Sequence, residues 1–125
     1  MTPLPTWMRR ALLATAVMNL AGALTFTPWG EPIRDFAGMP SAPAVYLLVI
    51  GSFVLLFGVG YLVCGATGRA DPLLIAIAAA GKLSFFGLLL AFAIRGDLPM
   101  RAPLAAVGDL VFGVLFVVWL AGLRR

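Results

Sequence analysis

The stretch PLLIAIAAAGKLSFFGLLLAFAI, residues 72–94, decides the class of this protein. It is long and apolar enough to cross a bilayer as a helix, which takes about 20 residues. Its one charged residue, Lys82, lies near the middle of the run. An ammonium group at bilayer depth is costly unless it finds a partner or a water-filled cavity. Lys82 therefore marks the first candidate functional site.

Three further apolar runs accompany this stretch, at about 8–27, 44–65 and 104–123. Each is close to the length of a membrane span. The chain is 62% hydrophobic and only 11% charged, whereas a soluble domain carries about 25% charged residues. We therefore predict one integral membrane domain over residues 1–125, an all-α antiparallel bundle of four transmembrane helices.

The residue types that support most enzyme chemistry are scarce. The chain has no histidine and a single cysteine, Cys64. An internal disulfide and a cysteine-cluster metal site are excluded, and the commonest general base and metal ligand are missing. We expect no metal and no cofactor. An enzyme is the least favoured class, although a lysine or aspartate inside a membrane can act as an acid or base.

The arginines are distributed unevenly between the two sets of helix ends. One set holds five and the other three, and both termini lie on the richer side. Cytoplasmic loops carry the excess of Lys and Arg, so we predict cytoplasmic termini. Basic helix ends suit anionic lipid headgroups rather than nucleic acid. The richer side holds Arg9, Arg10, Arg69, Arg124 and Arg125, and the other side holds Arg34, Arg95 and Arg101.

The N-terminal run imitates a secretory signal, because paired arginines precede an apolar stretch. The run continues through Phe26, so we expect this segment to be retained as the first helix.

Small residues recur with a fixed period in the second run, where Ala44, Gly51, Gly58 and Gly65 are spaced by seven. A seven-residue period keeps one stripe of a helix facing a neighbour, and glycine lets the two backbones approach. Apolar helices are also generally rich in glycine, so composition alone is the alternative. We predict that Gly51, Gly58 and Gly65 form a helix-packing face.

Each predicted helix places a polar group in the middle-to-outer part of the bundle; these are Asn19, Ser52, Lys82 and Asp109. Side chains lean toward the N-terminus of their own helix, so Lys82 and Asp109 lean apart in antiparallel helices. Two arrangements remain open. Either these two charges pair directly, or Lys82 meets Asn19 while Asp109 meets water or a loop arginine such as Arg34.

The connections add three expectations. Residues 28–43 hold either a single helical turn at the membrane interface, over residues 31–38, or a plain surface loop. The connection 68–72 is short, so the second and third helices should be antiparallel neighbours. Aromatic residues near predicted helix ends fit the aromatic belt of membrane proteins: Trp7, Trp29, Tyr46, Tyr61 and Trp119.

A resemblance rests on three stretches after the second run: Gly65-Ala66-Thr67-Gly68-Arg69-Ala70-Asp71-Pro72, Gly81-Lys82-Leu83, and Gly108-Asp109-Leu110 with Phe116 and Trp119. With them the chain resembles small uncharacterised bacterial four-helix inner-membrane proteins of a DoxX-like kind, over most of helices two to four. The resemblance implies a multi-pass protein of the bacterial inner (plasma) membrane, and it brings no assigned catalytic residue.

Two functions follow from the buried polar groups. In the first, Lys82, Asp109, Asn19 and Ser52 line a polar intramembrane pocket of a non-enzymatic accessory or small-molecule-binding protein, with a small hydrophobic ligand or a membrane partner protein. In the second, the chain is a small homo-oligomeric transporter or channel, and Lys82 and Asp109 gate it or relay a proton. A purely structural ion pair would produce the same sequence. We expect no binding partner other than the lipid bilayer and these molecules, and in particular no nucleic acid.

Overall fold

The computed structural model describes residues 1–124 and is mostly helical, which confirms the all-α class. In chain order the elements are β1 (Thr2–Pro3), α1 (Thr6–Thr25), a 3₁₀ turn (Pro28–Gly30), α2 (Glu31–Phe36), α3 (Ala44–Thr67), β2 (Arg69–Ala70), α4 (Pro72–Ile94), α5 (Arg101–Ala105) and α6 (Val107–Gly122).

Two helices, α3 and α4, are each long and apolar enough to cross a membrane. Helix α1 reaches that standard only together with Pro28–Phe36, to which it is bent by 95°. Helix α6 has 16 residues, fewer than the roughly 20 that a span requires. Within residues 1–124 there are thus two candidate spans, or three if the bent pair is one span. The prediction of four spans is therefore not confirmed by helix length and hydropathy.

The fourth predicted helix is interrupted at Ala106, which ends α5 and precedes α6 with φ −98° and ψ 9°. The prediction of one helix over 104–123 is therefore wrong. Hydropathy did not reveal the break, because the residues on both sides of it are apolar. Its consequence is that α6 begins at Val107 and that Asp109 lies in the first turn. A carboxylate is favoured there by the helix dipole.

Helices α1 and α3 form the closest pair, and they run antiparallel. The predicted glycine face of α3 lies against backbone carbonyl oxygens of α1 that are themselves seven residues apart. A Cβ added to these glycines would lie close to each oxygen, and at two of them it would meet an α1 side chain too tightly, the Asn19 Cβ at 3.0 Å from Gly58 and the Leu13 Cδ2 at 2.8 Å from Gly65, so glycine permits this approach without displacement. The pairs are Gly51 with Ala23 at 3.4 Å, Gly58 with Ala16 at 3.6 Å, and Gly65 with Arg9 at 3.3 Å.

The connection between α3 and α4 is built from strong local signals. Gly68 ends α3 in the left-handed conformation, with φ 74°, as glycine often does after a helix. The Asp71 carboxylate accepts a hydrogen bond of 2.8 Å from the Leu73 N–H and so caps α4. Pro72 occupies the first position of α4, where its missing N–H costs nothing.

Helix α3 packs mainly on α1, and α4 packs mainly on α6. Near the short connection, α3 and α4 still share a buried core through Tyr61, Cys64 and Ile75. Farther from the connection a cavity lies between them. The two helices predicted to be neighbours therefore meet only near the connection, and a space separates them beyond it.

The N-terminus seals one end of the bundle. Strand β1 pairs antiparallel with β2, and the Leu4 N–H donates to the Gly68 carbonyl at 2.9 Å. The Arg9 side chain donates to the carbonyls of Gly65 and Ala66, each at 3.1 Å, and so satisfies the C-terminal end of α3. The buried core lies inside this end, and we call the core together with these contacts the closed end. The core includes Met8, Leu12, Tyr61, Cys64, Ile75, Phe116 and Trp119.

Candidate functional site

A cavity of about 400 Å³ lies between the two helix pairs, at the end opposite the closed end. Its walls come from α1, α2, α3, α4, α5 and α6, and most of its lining is apolar. Several lining side chains on α3 and α4 are more than half exposed, including Phe53 and Ile77. The cavity therefore opens sideways between these two helices. We call this half of the molecule the open end.

A polar cluster forms the floor of the cavity. The Lys82 ammonium donates to Asp109 Oδ1 at 3.1 Å and to Asn19 Oδ1 at 3.2 Å. The two arrangements that the sequence leaves open for Lys82 thus occur together. Lys82 is 5% exposed and Asp109 20%, so the lysine is enclosed while the carboxylate faces the cavity.

The amide of Asn19 connects this cluster to α3. Its Nδ2 donates to the Val54 carbonyl at 3.0 Å, while its oxygen accepts from Lys82. Helices α1, α3, α4 and α6 are therefore tied together through one ammonium and one amide. An isolated charge in a poorly hydrated region is satisfied in this way.

The charges meet although their side chains lean along their own helices. Helices α4 and α6 approach closely at Gly113, where an added Cβ would lie 3.5 Å from the Lys82 Cβ. The late start of α6 places Asp109 in its first turn, next to the long lysine stem. Close packing of α4 and α6 thus brings Lys82 and Asp109 together, although each side chain leans toward the N-terminus of its own helix.

Aromatic rings complete the floor. The Lys82 Nζ lies 5.3 Å from the Tyr61 ring centroid and 6.0 Å from that of Phe112, within reach of cation–π attraction. Tyr61 also meets Phe116 edge-on, at 5.7 Å between centroids. The aromatic-belt prediction is wrong for Tyr61 and for Trp119, which are buried. Nothing in the sequence pattern distinguished them from the other aromatic residues near helix ends.

Ser52 does not belong to the cluster. It is exposed, and its hydroxyl donates to the Val49 carbonyl of its own helix at 2.8 Å. Gly51 faces α1, and the next residue on a helix points about 100° away. The prediction of Ser52 as a pocket residue is therefore wrong.

Arg34, on the short helix α2, stands at the mouth of the cavity. Its Nη1 donates to the carbonyls of Thr25 at 2.7 Å and Thr27 at 2.5 Å, so it does not reach Asp109 as the sequence allowed. These carbonyls lie at and beyond the C-terminal end of α1, where backbone oxygens lack helical partners. The turn predicted over 31–38 occurs as α2; Trp29, just before α2, and Phe36, its last residue, are exposed.

Metal ligands do not cluster in the described chain. Within residues 1–124, no three of the His, Cys, Asp and Glu side chains are grouped to hold an ion. Lys82 and Asp109 are the ionisable groups that meet inside the bundle. The arrangement can hold a mostly apolar molecule and offer it a few polar contacts.

No known protein family, curated protein or solved structure matches the chain. The DoxX-like resemblance therefore stays a prediction. The function has to be argued from the cavity and its residues.

Proposed function

We propose that the protein is a multi-pass protein of the bacterial inner membrane that binds a small hydrophobic molecule and catalyses no reaction. In this proposal α1, α3, α4 and α6 all cross the bilayer, α6 being extended by α5. The observation that carries it is the cavity of about 400 Å³, floored by the pair formed by Lys82 and Asp109. Ligand pockets usually have volumes of about 300–1,000 Å³ and an apolar lining with few polar groups.

A purely structural ion pair fits the geometry less well than a binding site. Only Oδ1 of Asp109 accepts from Lys82, and the side chain stays partly exposed to the cavity. A carboxylate serving structure alone gains most when both of its oxygens are satisfied, because unmet polar groups are costly away from water. The second oxygen is available to a ligand or to water.

A transporter or channel would need a second opening. Directly beyond the floor the side chains of Leu12, Ile75 and Phe116 are fully buried, and the strands and Arg9 close the end behind them. Packed cores of this kind leave no path for water. Binding is therefore favoured over the alternative in which a homo-oligomer transports a solute through Lys82 and Asp109.

In the proposed orientation both termini are cytoplasmic and the open end lies on the opposite side of the membrane. The five-to-three distribution of arginines favours this orientation, because cytoplasmic ends carry the excess of Lys and Arg. Thr6 and Ser41 are exposed at opposite ends. Each is replaced by cysteine in a Cys64→Ala background and treated in intact cells with an impermeant maleimide. We expect labelling of Ser41→Cys alone; labelling of Thr6→Cys alone reverses the orientation.

Two glycines of α4 offer a matched test of binding. Gly81 lines the cavity and Gly87 does not, and a Cβ added at either meets no atom within 4 Å. Gly81→Leu should therefore fill the cavity without a clash, while Gly87→Leu adds the same surface elsewhere on the helix.

The probes are a diazirine-bearing long-chain fatty acid and the matching fatty alcohol, photolysed with the purified protein in nanodiscs. Peptide mass spectrometry then measures the adducts on cavity residues. We expect Gly81→Leu to lower the adduct yield of the better probe about tenfold, and Gly87→Leu to lower it less than twofold. Equal adducts in both variants and the parent protein would show that the cavity binds neither probe, and the proposal would fail.

A further inference from the structure

The guanidinium of Arg34 uses only part of its hydrogen-bonding capacity within the protein. Both carbonyl bonds come from Nη1. Within residues 1–124, no further protein acceptor is bonded to Nε or Nη2, and no carboxylate lies within the 4.0 Å of an ion pair. Arginine carries five N–H donors in a planar fork. The edge formed by Nε and Nη2 therefore remains free, and its spacing matches the two oxygens of a carboxylate or phosphate.

The position of this fork is set by the bonds that it already makes. Arg34 is half-buried, lines the cavity mouth, and is held against the end of α1 by the Thr25 and Thr27 carbonyls. A fixed guanidinium loses little freedom when an anion binds. Glu31 and Asp35 lie on the same short helix and are exposed; these two carboxylates outnumber Arg34 on α2, but neither forms an ion pair with its fork.

The charge distribution inside the cavity decides where an anionic group would lie. At the floor, Lys82 is already paired with Asp109, so that region has no net charge to attract an anion. At the mouth, Arg34 brings a full positive charge without a paired carboxylate. The aromatic side chains of Trp29, just before α2, and Phe36, at its end, are exposed, as is typical of the depth of lipid headgroups.

The lining of the cavity between its mouth and its floor is apolar and suits a hydrocarbon chain. The floor residue Asn19 lies six residues before Thr25 on α1, which corresponds to about 9 Å. Over this distance the walls are formed by side chains such as Phe57, Phe85 and Leu89. The sideways opening between α3 and α4 lets a longer chain continue into the bilayer.

We infer that Arg34 holds the carboxylate or phosphate head of a long-chain amphiphile whose hydrocarbon chain occupies the cavity. This inference rests on the proposed function, because it names the class of ligand that the same cavity takes. It assigns to Arg34 the recognition of the head, while the chain ends short of the neutral floor, where water meets the second oxygen of Asp109.

The first test compares heads in the unaltered protein. The diazirine fatty acid and the matching fatty alcohol share a chain and differ only in charge. We expect at least fivefold more adducts on cavity residues from the acid. Equal yields from acid and alcohol that both depend on Gly81 would overturn this inference and leave the proposed pocket intact. Loss of both signals would remove the pocket itself.

The second test compares two arginines of the open end. Arg34→Gln keeps an amide donor for the α1 carbonyls but removes the charge and the fork, and we expect about tenfold fewer acid adducts. Arg34→Lys keeps the charge and should recover part of the signal. Arg95→Gln removes an exposed arginine paired with Asp97 and should change the yield less than twofold. Equal losses in Arg34→Gln and Arg95→Gln would mean general attraction to the surface and would overturn the inference.

Competition identifies the source of the head group. Unlabelled oleate, dioleoyl phosphatidylglycerol, dioleoyl phosphatidylcholine and inorganic phosphate are each added to the acid probe. Competition by oleate supports a free fatty acid, and competition by phosphatidylglycerol supports an anionic phospholipid. Competition by phosphatidylcholine as strong as by either anion, or full competition by inorganic phosphate alone, would overturn the inference.

Discussion

The closed and open ends are built from the same helices but are held together in different ways. At the closed end, side chains such as Met8, Leu12 and Phe116 are fully buried, and strands β1 and β2 tie the N-terminus to the α3–α4 connection. At the open end, a cavity separates the helix pairs, and Lys82 bridges them. Packing excludes solvent and ligands, whereas a few directional polar contacts hold helices while leaving space between them.

The difference arises from where small and polar residues lie along each helix. Close approach at Gly58 and Gly65 brings α1 and α3 together, and in lipid such packing supplies much of the cohesion. The open end instead has the break at Ala106 beside it. Three substitution experiments test this contrast between the two ends.

The largest effect is expected from the charge pair at the cavity floor. Asp109→Leu leaves the enclosed Lys82 ammonium without its counter-charge, and breaking a buried pair typically costs about 3–5 kcal/mol. Lys82→Met should cost less, because Asp109 is the more exposed partner and can be hydrated. The double substitution should recover most of the loss. Unfolding of each variant in detergent gives the four free energies.

The deciding quantity in that cycle is its non-additivity. Strong coupling means that the pair holds the open end together. If both single variants are as stable as the parent protein, water already screens the two charges. The open end would then depend on packing, as the closed end does. If the double variant loses as much stability as the two single variants together, Lys82 and Asp109 have separate partners, and Asn19 is the partner of Lys82.

An intermediate effect is expected on the glycine face. A Cβ at Gly58 would lie 3.0 Å from the Asn19 Cβ, while one at Gly60 would meet nothing within 4 Å. Gly58→Leu should therefore destabilise the protein by about 1–3 kcal/mol, the usual cost of overpacking. Gly60→Leu should change the stability by less than about 0.5 kcal/mol, as expected for a surface substitution. Thermal unfolding in detergent measures both, and equal tolerance would contradict the close α1–α3 contact.

The smallest effect is expected at Thr15, which lies between the two ends. It is fully buried, and its hydroxyl has no hydrogen-bond partner within the described chain. Thr15→Val keeps the shape and removes an unpaired polar group, so stability should rise by up to about 1 kcal/mol. Thr15→Ser keeps the hydroxyl and loses a methyl group, and should cost about 1 kcal/mol. A clear loss in Thr15→Val would reveal a bound water or ligand that reaches below the floor.

The bounds of α3 and α4 were predictable from hydropathy to within two residues, because a helix in lipid must be apolar along its length. The polar groups Asn19, Lys82 and Asp109 were also predictable, since such residues are rare at bilayer depth. The same rule predicted Ser52 as a pocket residue, and that prediction is wrong. A serine hydroxyl can bond to a carbonyl of its own helix and then needs no other partner.

Other features depended on contacts that no local pattern encodes. The β1–β2 pairing joins residues nearly seventy positions apart, and two-residue strands carry no periodicity. The break at Ala106 lies within an uninterrupted apolar run, so hydropathy is blind to it. The position of Arg34 at the cavity mouth follows from the sharp bend after α1, which the sequence suggested only as one of two alternatives.

The pattern of apolar and polar residues was enough to predict a helical chain that can enter a membrane and that carries a few polar groups in need of partners. These properties follow from the solvent, since hydrocarbon demands apolar surfaces and internally bonded backbones. Which polar groups meet became clear only from the folded arrangement of the helices. Lys82 reaches both Asn19 and Asp109 because α6 starts late and α1 is drawn against α3. Such meetings depend on helix positions to within a few ångströms, and these are set by all the packed contacts together rather than by any one segment.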